Sequence, residues 1–263
     1  MVKKNLGDFA KIKKSLQNKN SSLLKEVKEI NKFYLKQIKR KKCKNCNRSI
    51  KNVSFQSFGV SYSLCKTCNH INGMNEDTNK FLKYLYYTNK EDEHINYSKR
   101  YLEDFDIKVK NIYLPKAKFL KKVIKKRNVK ILDLGCGAGH FLKACEKLNM
   151  HGMGFDSNKT LVNLAKKKLR KNKAKFSKLE NLRDIVLNNE GDCISLISVL
   201  EHIQNPSEFF KIFKKSNFKY LYISIPLFSF TSLIEHAFNN IFPRSLYGPH
   251  THMYTKESYL LYL

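Results

Sequence analysis

The sequence predicts an α/β protein: a doubly wound sheet of parallel strands in its second half, preceded by a small cysteine-bearing module. Three observations carry this. From Val129 onward, apolar runs of strand length alternate with helical patterns. The first of those strands runs into a glycine-rich loop, Asp133-Leu134-Gly135-Cys136-Gly137-Ala138-Gly139, and a helix follows. Further upstream stand two Cys-x-x-Cys pairs. Alternating strand and helix requires crossover connections, which produce parallel sheets covered on both faces.

In order, Val129–Leu134 reads as a buried strand, Gly139–Leu148 as a helix and Met150–Phe155 as a strand. Asn158–Arg170 is helical, Ala174–Ser177 a short strand and Asp192–Val199 a strong one. A helix over Pro206–Lys215 and a strand over Phe218–Ile225 complete the alternation. The organisation read from these patterns has four parts. Residues 1–40 form a basic segment in which Leu23, Val27, Ile30, Tyr34 and Ile38 recur at helical spacing, ending in Lys39-Arg40-Lys41-Lys42 with its lysines solvated. Residues 41–75 are the cysteine module. Residues 76–114 are an aromatic linker with Phe81, Tyr84, Tyr86, Tyr87, Tyr97, Tyr101 and Phe105, and residues 115–263 the α/β domain. A helix over Leu114–Arg127 leads into that domain.

The length of 263 residues suits one sizeable domain plus a small one, and 42% hydrophobic residues exclude a disordered chain. The formal charge of +29 attracts polyanions: nucleic acid, an anionic membrane or phosphorylated small molecules. The excess is spread from Lys3 to Lys219, mostly as lysine and among many Asn and Ile, which is the pattern of a compositional bias. Charge alone therefore does not choose the partner. No apolar h-region follows Met1-Val2-Lys3-Lys4. The most apolar stretch, Tyr220–Ile234, is interrupted by Pro226 and is shorter than the roughly 20 residues of a spanning helix. Seven cysteines in two pairs and three singles are a metal pattern, not a disulfide framework, and a reducing cytoplasm is the expected compartment.

Cys43-x2-Cys46 and Cys65-x2-Cys68 stand 18 residues apart. Each pair can present two thiolates to one metal, so the four complete a tetrahedral structural zinc site in a zinc-ribbon-like module. The ion substitutes for a core that so small a segment lacks. Redox-active pairs are the alternative, and His70 is a possible substitute ligand. The single thiols Cys136, Cys145 and Cys193 read as small buried residues.

In the glycine loop, Gly135 and Gly137 permit a tight turn and close approach of a ligand to the backbone, and Gly139 lets the helix sit against the strand. A nicotinamide dinucleotide is disfavoured twice over. The sixth position is His140 instead of glycine, and Asp133 ahead of the glycines would repel a pyrophosphate. Asp156 follows the second strand, about 20 residues past the first glycine, where a carboxylate can grip ribose hydroxyls.

Ile131-Leu132-Asp133-Leu134-Gly135-Cys136-Gly137-Ala138-Gly139 resembles motif I of the class I S-adenosylmethionine-dependent methyltransferases. Asp156 resembles their ribose-binding acid, and Leu179-Glu180-Asn181 falls where that family contacts adenine. Ser195 to Pro206, which includes Glu201-His202, resembles the motif after their fourth strand. The resemblance covers about residues 115–263. It implies a Rossmann-like methyltransferase sheet, with S-adenosylmethionine held by Asp133, Gly135, Cys136, Gly137, Gly139, Asp156, Ser157, Glu180 and Ser198. It places the Asp133 carboxylate near the cofactor's cationic amino-acid end. The family carries two further strands after the helix expected from Thr255, and this sequence stops at Leu263, so the sheet is expected to lack its C-terminal strands, with an exposed edge.

A four-cysteine module, an aromatic linker with Asn96-Tyr97-Ser98-Lys99-Arg100-Tyr101 and this core together resemble sugar methyltransferases of deoxysugar and surface-polysaccharide pathways. Methyl transfer is an in-line displacement, and an alcohol acceptor must also lose a proton. His202 is the candidate base, a role its counterpart has in some sugar methyltransferases, while Glu201 reads as an orienting group. His250 and His252, in Gly248-Pro249-His250-Thr251-His252-Met253-Tyr254-Thr255, are the alternates. The expected acceptor is a small molecule, a sugar or nucleotide-sugar, methylated at oxygen or carbon. One alternative is an RNA methyltransferase, for which the cysteine module and the charge argue. Against it, Ser198-Val199-Leu200-Glu201 is not the Asn/Asp-Pro-Pro-aromatic motif of base amino-group methylation, and no catalytic Cys motif is seen. The other alternative is a non-catalytic zinc-containing binding protein with a degenerate or truncated core.

Overall fold

Strand β4 (Lys130–Leu134) is the middle of a five-stranded parallel sheet in the computed structural model of the chain. The structure describes residues 20–87, 104–230, 232, 234, 246 and 250–261. The expectations for residues 1–19, for 96–101 and for Gly248 and Pro249 lie outside the described residues, as do the side chains of Leu23, Tyr86 and Tyr87. The chain splits into two units. Among the described residues, the first holds 104–199 and 211–224, and the second holds the rest.

The first unit contains β4, β5 (His151–Asp156), β6 (Lys173–Phe176), β7 (Cys193–Ile197) and β8 (Tyr220–Ser224), in the order β6-β5-β4-β7-β8. Every pairing is parallel. β4 and β7 are buried along almost their whole length, as central strands of a covered parallel sheet must be. The chain runs outward from β4 to β6 and then returns to β7 on the other side of β4. That reversal is where doubly wound sheets open a crevice at the carboxyl ends of their strands.

The connecting helices start and stop where local chemistry requires. A helix over Phe105–Lys108 passes through a π turn, Val109–Tyr113, into a helix over Leu114–Ile124. Pro115 has no N–H to give to the preceding turn, so the wider turn sits just ahead of it. The helix ends short of Arg127 because Lys125 adopts a left-handed conformation and donates its N–H to the Lys121 carbonyl at 3.1 Å. The helix over Lys159–Lys168 begins after Asn158, whose side chain accepts the Leu161 N–H at 3.0 Å. Its C-terminal neighbours Arg170, Lys171 and Asn172 all donate backbone N–H groups to Glu146 Oε1.

The second unit contains α1 (Asn20–Leu35), α2 (Asn79–Tyr87) and an antiparallel sheet. That sheet comprises β1 (Phe55–Ser57), β2 (Val60–Leu64), β3 (Ile71–Gly73) and β9 (His252–Met253), in the order β1-β2-β3-β9. Its fourth strand comes from far along the chain, pairing His252 with Asn72 and Met253 with Ile71. The unit is thus discontinuous, and its bounds do not follow the linear division at residues 75 and 115. Tyr34, Val60, Tyr62, Ile71, Phe81 and Met253 share its apolar core. Phe33 and Tyr84 stack at 4.2 Å.

One expectation for the N-terminal segment changes here. The helix ends at Leu35, so Ile38 leaves the apolar stripe and is 70% exposed. Lys39, Lys41 and Lys42 are exposed, whereas Arg40 among them is buried. Its guanidinium meets Asp77 Oδ1 at 2.6 Å, Glu76 Oε2 at 2.9 Å and the Gly73 carbonyl at 3.0 Å. Lys44 pairs with the other Asp77 oxygen, and Tyr34 Oη donates to the Asn75 carbonyl nearby. Among the described residues no helix is long and apolar enough to cross a membrane.

Asp77 pairs with two buried cations, so its loss leaves Lys44 without that carboxylate and Arg40 with Glu76 alone. Asp77→Ala is expected to destabilise the protein by about 3–5 kcal/mol in urea denaturation. A loss below about 1 kcal/mol, the range of an exposed ion pair, would contradict this.

Candidate active site

The glycine loop lies at the carboxyl end of β4, beside the topological reversal. Gly135 has φ +70°, and a Cβ on it would stand 2.4 Å from Val199 Cγ2. Gly139 has φ +82°, and a Cβ there would press on Ala165 and Leu169 of the next helix. Both positions therefore require glycine on two counts: backbone conformation and packing. The turn is held by the Gly135 and Cys136 N–H groups, which donate to the Phe155 carbonyl at 2.8 and 3.1 Å.

Two carboxylates flank it. Asp156, ending β5, accepts the Gly137 N–H on Oδ2 and the Asn158 N–H on Oδ1, both at 2.8 Å. Burial raises its carboxyl, and hydrogen bonds from Asn158, Gly137 and Ser157 oppose the rise. Each oxygen keeps a lone pair for a further donor. Asp133 is buried within the sheet, opposite Ser195 in the β4–β7 register. Ser195 Oγ donates to Asp133 Oδ1 at 2.7 Å. Burial pushes Asp133 up to about 7; the Ser195 hydrogen bond lowers it and the charge of Asp156 adds to the rise. Ser157 directly follows Asp156. Ser198 follows β7 in a left-handed conformation at φ 54°, its N–H donating to the Ser224 carbonyl at 2.8 Å. Glu180 is exposed, in a short 3-10 turn after β6. Asp133, Gly135, Cys136, Gly137, Gly139, Asp156 and Ser157 thus meet around one loop, while Glu180 and Ser198 follow the next two strands.

The second unit brings Cys43, Cys46, Cys65 and Cys68 together, all four sulfurs within 4.8 Å of one another. Cys43 Sγ is 3.7 Å from Cys68 Sγ, and Cys46 Sγ is 3.6 Å from Cys65 Sγ. A tetrahedron of thiolates with bonds of about 2.3 Å has edges of about 3.8 Å, so the cluster has the dimensions of a four-thiolate metal centre. The two knuckles are built alike. Asn47 and Asn69, both at positive φ, donate N–H groups to the Cys43 and Cys65 carbonyls at 2.9 and 2.8 Å. Asn72 Nδ2 reaches Cys43 Sγ at 3.4 Å. The hydrogen bond with Cys68, ahead of this one, pushes the Cys43 thiol down to about 5. His70 turns elsewhere: its Nε2 meets His252 Nδ1 at 2.8 Å and its Nδ1 meets Ser258 Oγ at 3.3 Å. Cys136, Cys145 and Cys193 are buried, as small core residues.

The three candidate histidines part company. His252 is fully buried in β9 and bonded to His70. Burial holds it well below the usual imidazole range. His202 and His250 are half-buried, with ring centroids 5.3 Å apart. Glu201 joins them, its carboxyl pushed up to about 7 by burial. Thr255 caps the last helix (Lys256–Leu260) through a reciprocal pair with Ser258. Sequence reasoning did not single out Ser195, Val199, Asn72 or the grouping of Glu201 with His202 and His250. The one available signal was a polar serine inside the strongly apolar strand Cys193–Ile197.

Residues 108–262 match the family described as "Methyltransferase domain". The chain belongs to that methyltransferase family. No curated protein matches the chain. Among solved structures, this methyltransferase is similar to the magnesium protoporphyrin IX methyltransferase of Synechocystis PCC 6803, which carries bound SAH. The identity is 12%, over 70% of this chain and 87% of that one, with a TM-score of 0.52. It is also similar to a SAM-dependent methyltransferase of Archaeoglobus fulgidus, at 24% identity over 62% of this chain and 72% of that one, TM-score 0.41. The plantazolicin methyltransferase BpumL, in complex with a pentazolic desmethylPZN analog and SAH, is 21% identical, over 51% of each chain, TM-score 0.39. At 12% identity the first likeness is one of fold: the α/β sheet of methyltransferases.

The methyltransferase's buried Asp133 gives its stability a pH dependence. The carboxyl ionises near 3.8 in the unfolded chain and near 7 in the folded one. The unfolded state therefore binds fewer protons between these values, and stability falls as pH rises from about 4 to about 7. Asp133→Asn is expected to remove that part of the slope, a difference of up to about 4 kcal/mol across the window. Urea denaturation over that range checks it; parallel curves for the two proteins would contradict it.

Proposed function

We propose that the chain is an S-adenosylmethionine-dependent methyltransferase acting on a small molecule, a sugar or nucleotide-sugar, at oxygen or carbon. The observation that carries the reading is the glycine turn at the carboxyl end of β4, tied by Gly137 to the Asp156 carboxylate at the reversal of strand order. The donor set fits this cofactor. Asp156 retains lone pairs for a ribose diol, and Asp133 places carboxyl oxygens beneath the turn as acceptors for the ammonium of the amino-acid end. Gly135, Cys136, Gly137 and Gly139 form the wall a ligand approaches, with Ser157, Glu180 and Ser198 as further contacts. When bound, S-adenosylmethionine supplies a methyl group on a sulfonium, ready for in-line displacement.

Glu201, His202 and His250 are proposed as the group that handles the acceptor and its proton. His252, spent on the bond to His70, is assigned to holding β9 against β3. Zn²⁺ is the metal proposed for the four thiolates, in a structural role. Seven free cysteines favour a reducing compartment, the cytoplasm. The sugar acceptor is favoured by the resemblance of the layout: cysteine module, aromatic linker, then methyltransferase core.

Incubation with methyl-labelled S-adenosylmethionine and two separate pools, nucleotide-sugars and total RNA, tests the reading. Label is expected in the nucleotide-sugar pool, and His202→Asn is expected to lower that rate by about 100-fold or more. Label in RNA alone would make this an RNA methyltransferase, and label in neither pool would overturn the proposed acceptor.

A further inference from the structure

Glu201, His202 and His250 place one carboxylate oxygen and two imidazole nitrogens within 4.8 Å of one another. We propose that these three residues bind a divalent transition-metal ion, at a second centre with ligands separate from the four thiols. Two histidines and one carboxylate satisfy three positions of such an ion and leave the remainder open to an oxygen ligand, as ligand sets of working metal centres do. Metal–ligand bonds of about 2.0–2.2 Å require ligand atoms about 3.3 Å apart, so side-chain torsions need close the group by at most about 1.5 Å.

The backbone on both sides of the group is already fixed. Glu201 and His202 lie in a 3-10 turn (Leu200–His202) that buries Leu200 completely, and the Ile203 N–H closes on the Leu200 carbonyl at 3.2 Å. Gln204 Nε2 then donates to the Asp77 carbonyl at 3.0 Å, joining the segment to the buried ionic network. On the other side, His250 precedes Thr251, whose carbonyl accepts the Gly73 N–H at 2.8 Å, and β9 follows at once. Ligand positions separated by nearly fifty residues are therefore presented by two segments that hydrogen-bond the same stretch, Gly73 to Asp77.

Glu201 supplies the independent sign of a ligand. It is 3% exposed, and its Oε2 is buried with no hydrogen-bond partner among the described residues. A buried carboxylate oxygen without a donor is costly unless a cation meets it. Nitrogen and oxygen ligands suit zinc, iron or nickel, whereas the soft thiolates select zinc. An open position would receive an acceptor hydroxyl. For that role alone the inference rests on the reading of this group as the acceptor-handling site.

The test uses the full chain, loaded with zinc and freed of loose metal by dialysis, with metal content read by mass spectrometry. The expectation is a second zinc equivalent beyond the one held by the thiols. His202→Ala with His250→Ala is expected to lose that second equivalent and keep the first, and Cys46→Ser the reverse. Cobalt in place of zinc separates the two, because thiolates give intense sulfur-to-metal absorption that nitrogen and oxygen ligands lack. The thiolate bands also report whether the double variant is folded. Should it fail to fold, Glu201→Gln, nearly isosteric, is expected to weaken the second site by more than about tenfold. A single zinc equivalent in the wild type, or undiminished second-site binding in Glu201→Gln, would overturn the proposal. Metal content is independent of turnover, so a chain that binds the second ion but transfers no methyl group would count against the proposed activity and leave the metal site standing.

Discussion

How closely the end of β7 can approach the turn after β4 decides what the first unit can offer a ligand. Val199 occupies the space where a side chain on Gly135 would begin, so only glycine lets the two central strands stay together to their ends. The Ser195 hydroxyl and the Asp133 carboxylate bond across the same pair of strands. On the other side, the Asp156 carboxylate holds the Gly137 amide, and the Phe155 carbonyl holds two more. The ends of three neighbouring strands are thereby locked around one loop. Such a loop is shaped before a ligand arrives, and preorganisation of this kind reduces the cost of binding.

The second unit solves a different problem. Its strands are two to five residues long, too short to bury much apolar surface. Two devices compensate. Paired knuckles, each closed by an asparagine at positive φ, bring four sulfurs to the spacing of a metal tetrahedron. Around Asp77, the cations of Arg40 and Lys44 are matched and buried, which fixes the segment between the helix and the first knuckle. His70 and His252 extend the same logic to the last strand, pairing a residue of the ribbon with one nearly two hundred positions later.

Much of the first unit was legible because its signals are local. The alternation of apolar runs and helical patterns located every strand of the parallel sheet to within a few residues, and the helix over Pro206–Lys215 was read to its bounds. Glycine spacing, Asp156 and the cysteine pairs were equally local. What escaped depends on partners far away in sequence. A two-residue strand such as His252–Met253 has no periodicity to detect. Arg40 stands in a run of four basic residues, and nothing nearby announces that Asp77 and Glu76 will bury it. Ser195 was not singled out, because only the register sets it opposite Asp133. Glu201 was read as an orienting neighbour of His202, because its burial and its proximity to His250 are products of the fold.

Calorimetric titration of the full chain with S-adenosylmethionine tests the central claim most directly. Saturable binding at a single site is expected for the wild type, weakened at least about tenfold in Asp156→Ala, which removes the carboxylate from the loop amide and from the ribose it is proposed to bind. A folded wild-type chain that gives no binding heat at several temperatures, or an Asp156→Ala protein that binds as tightly as the wild type, would contradict it.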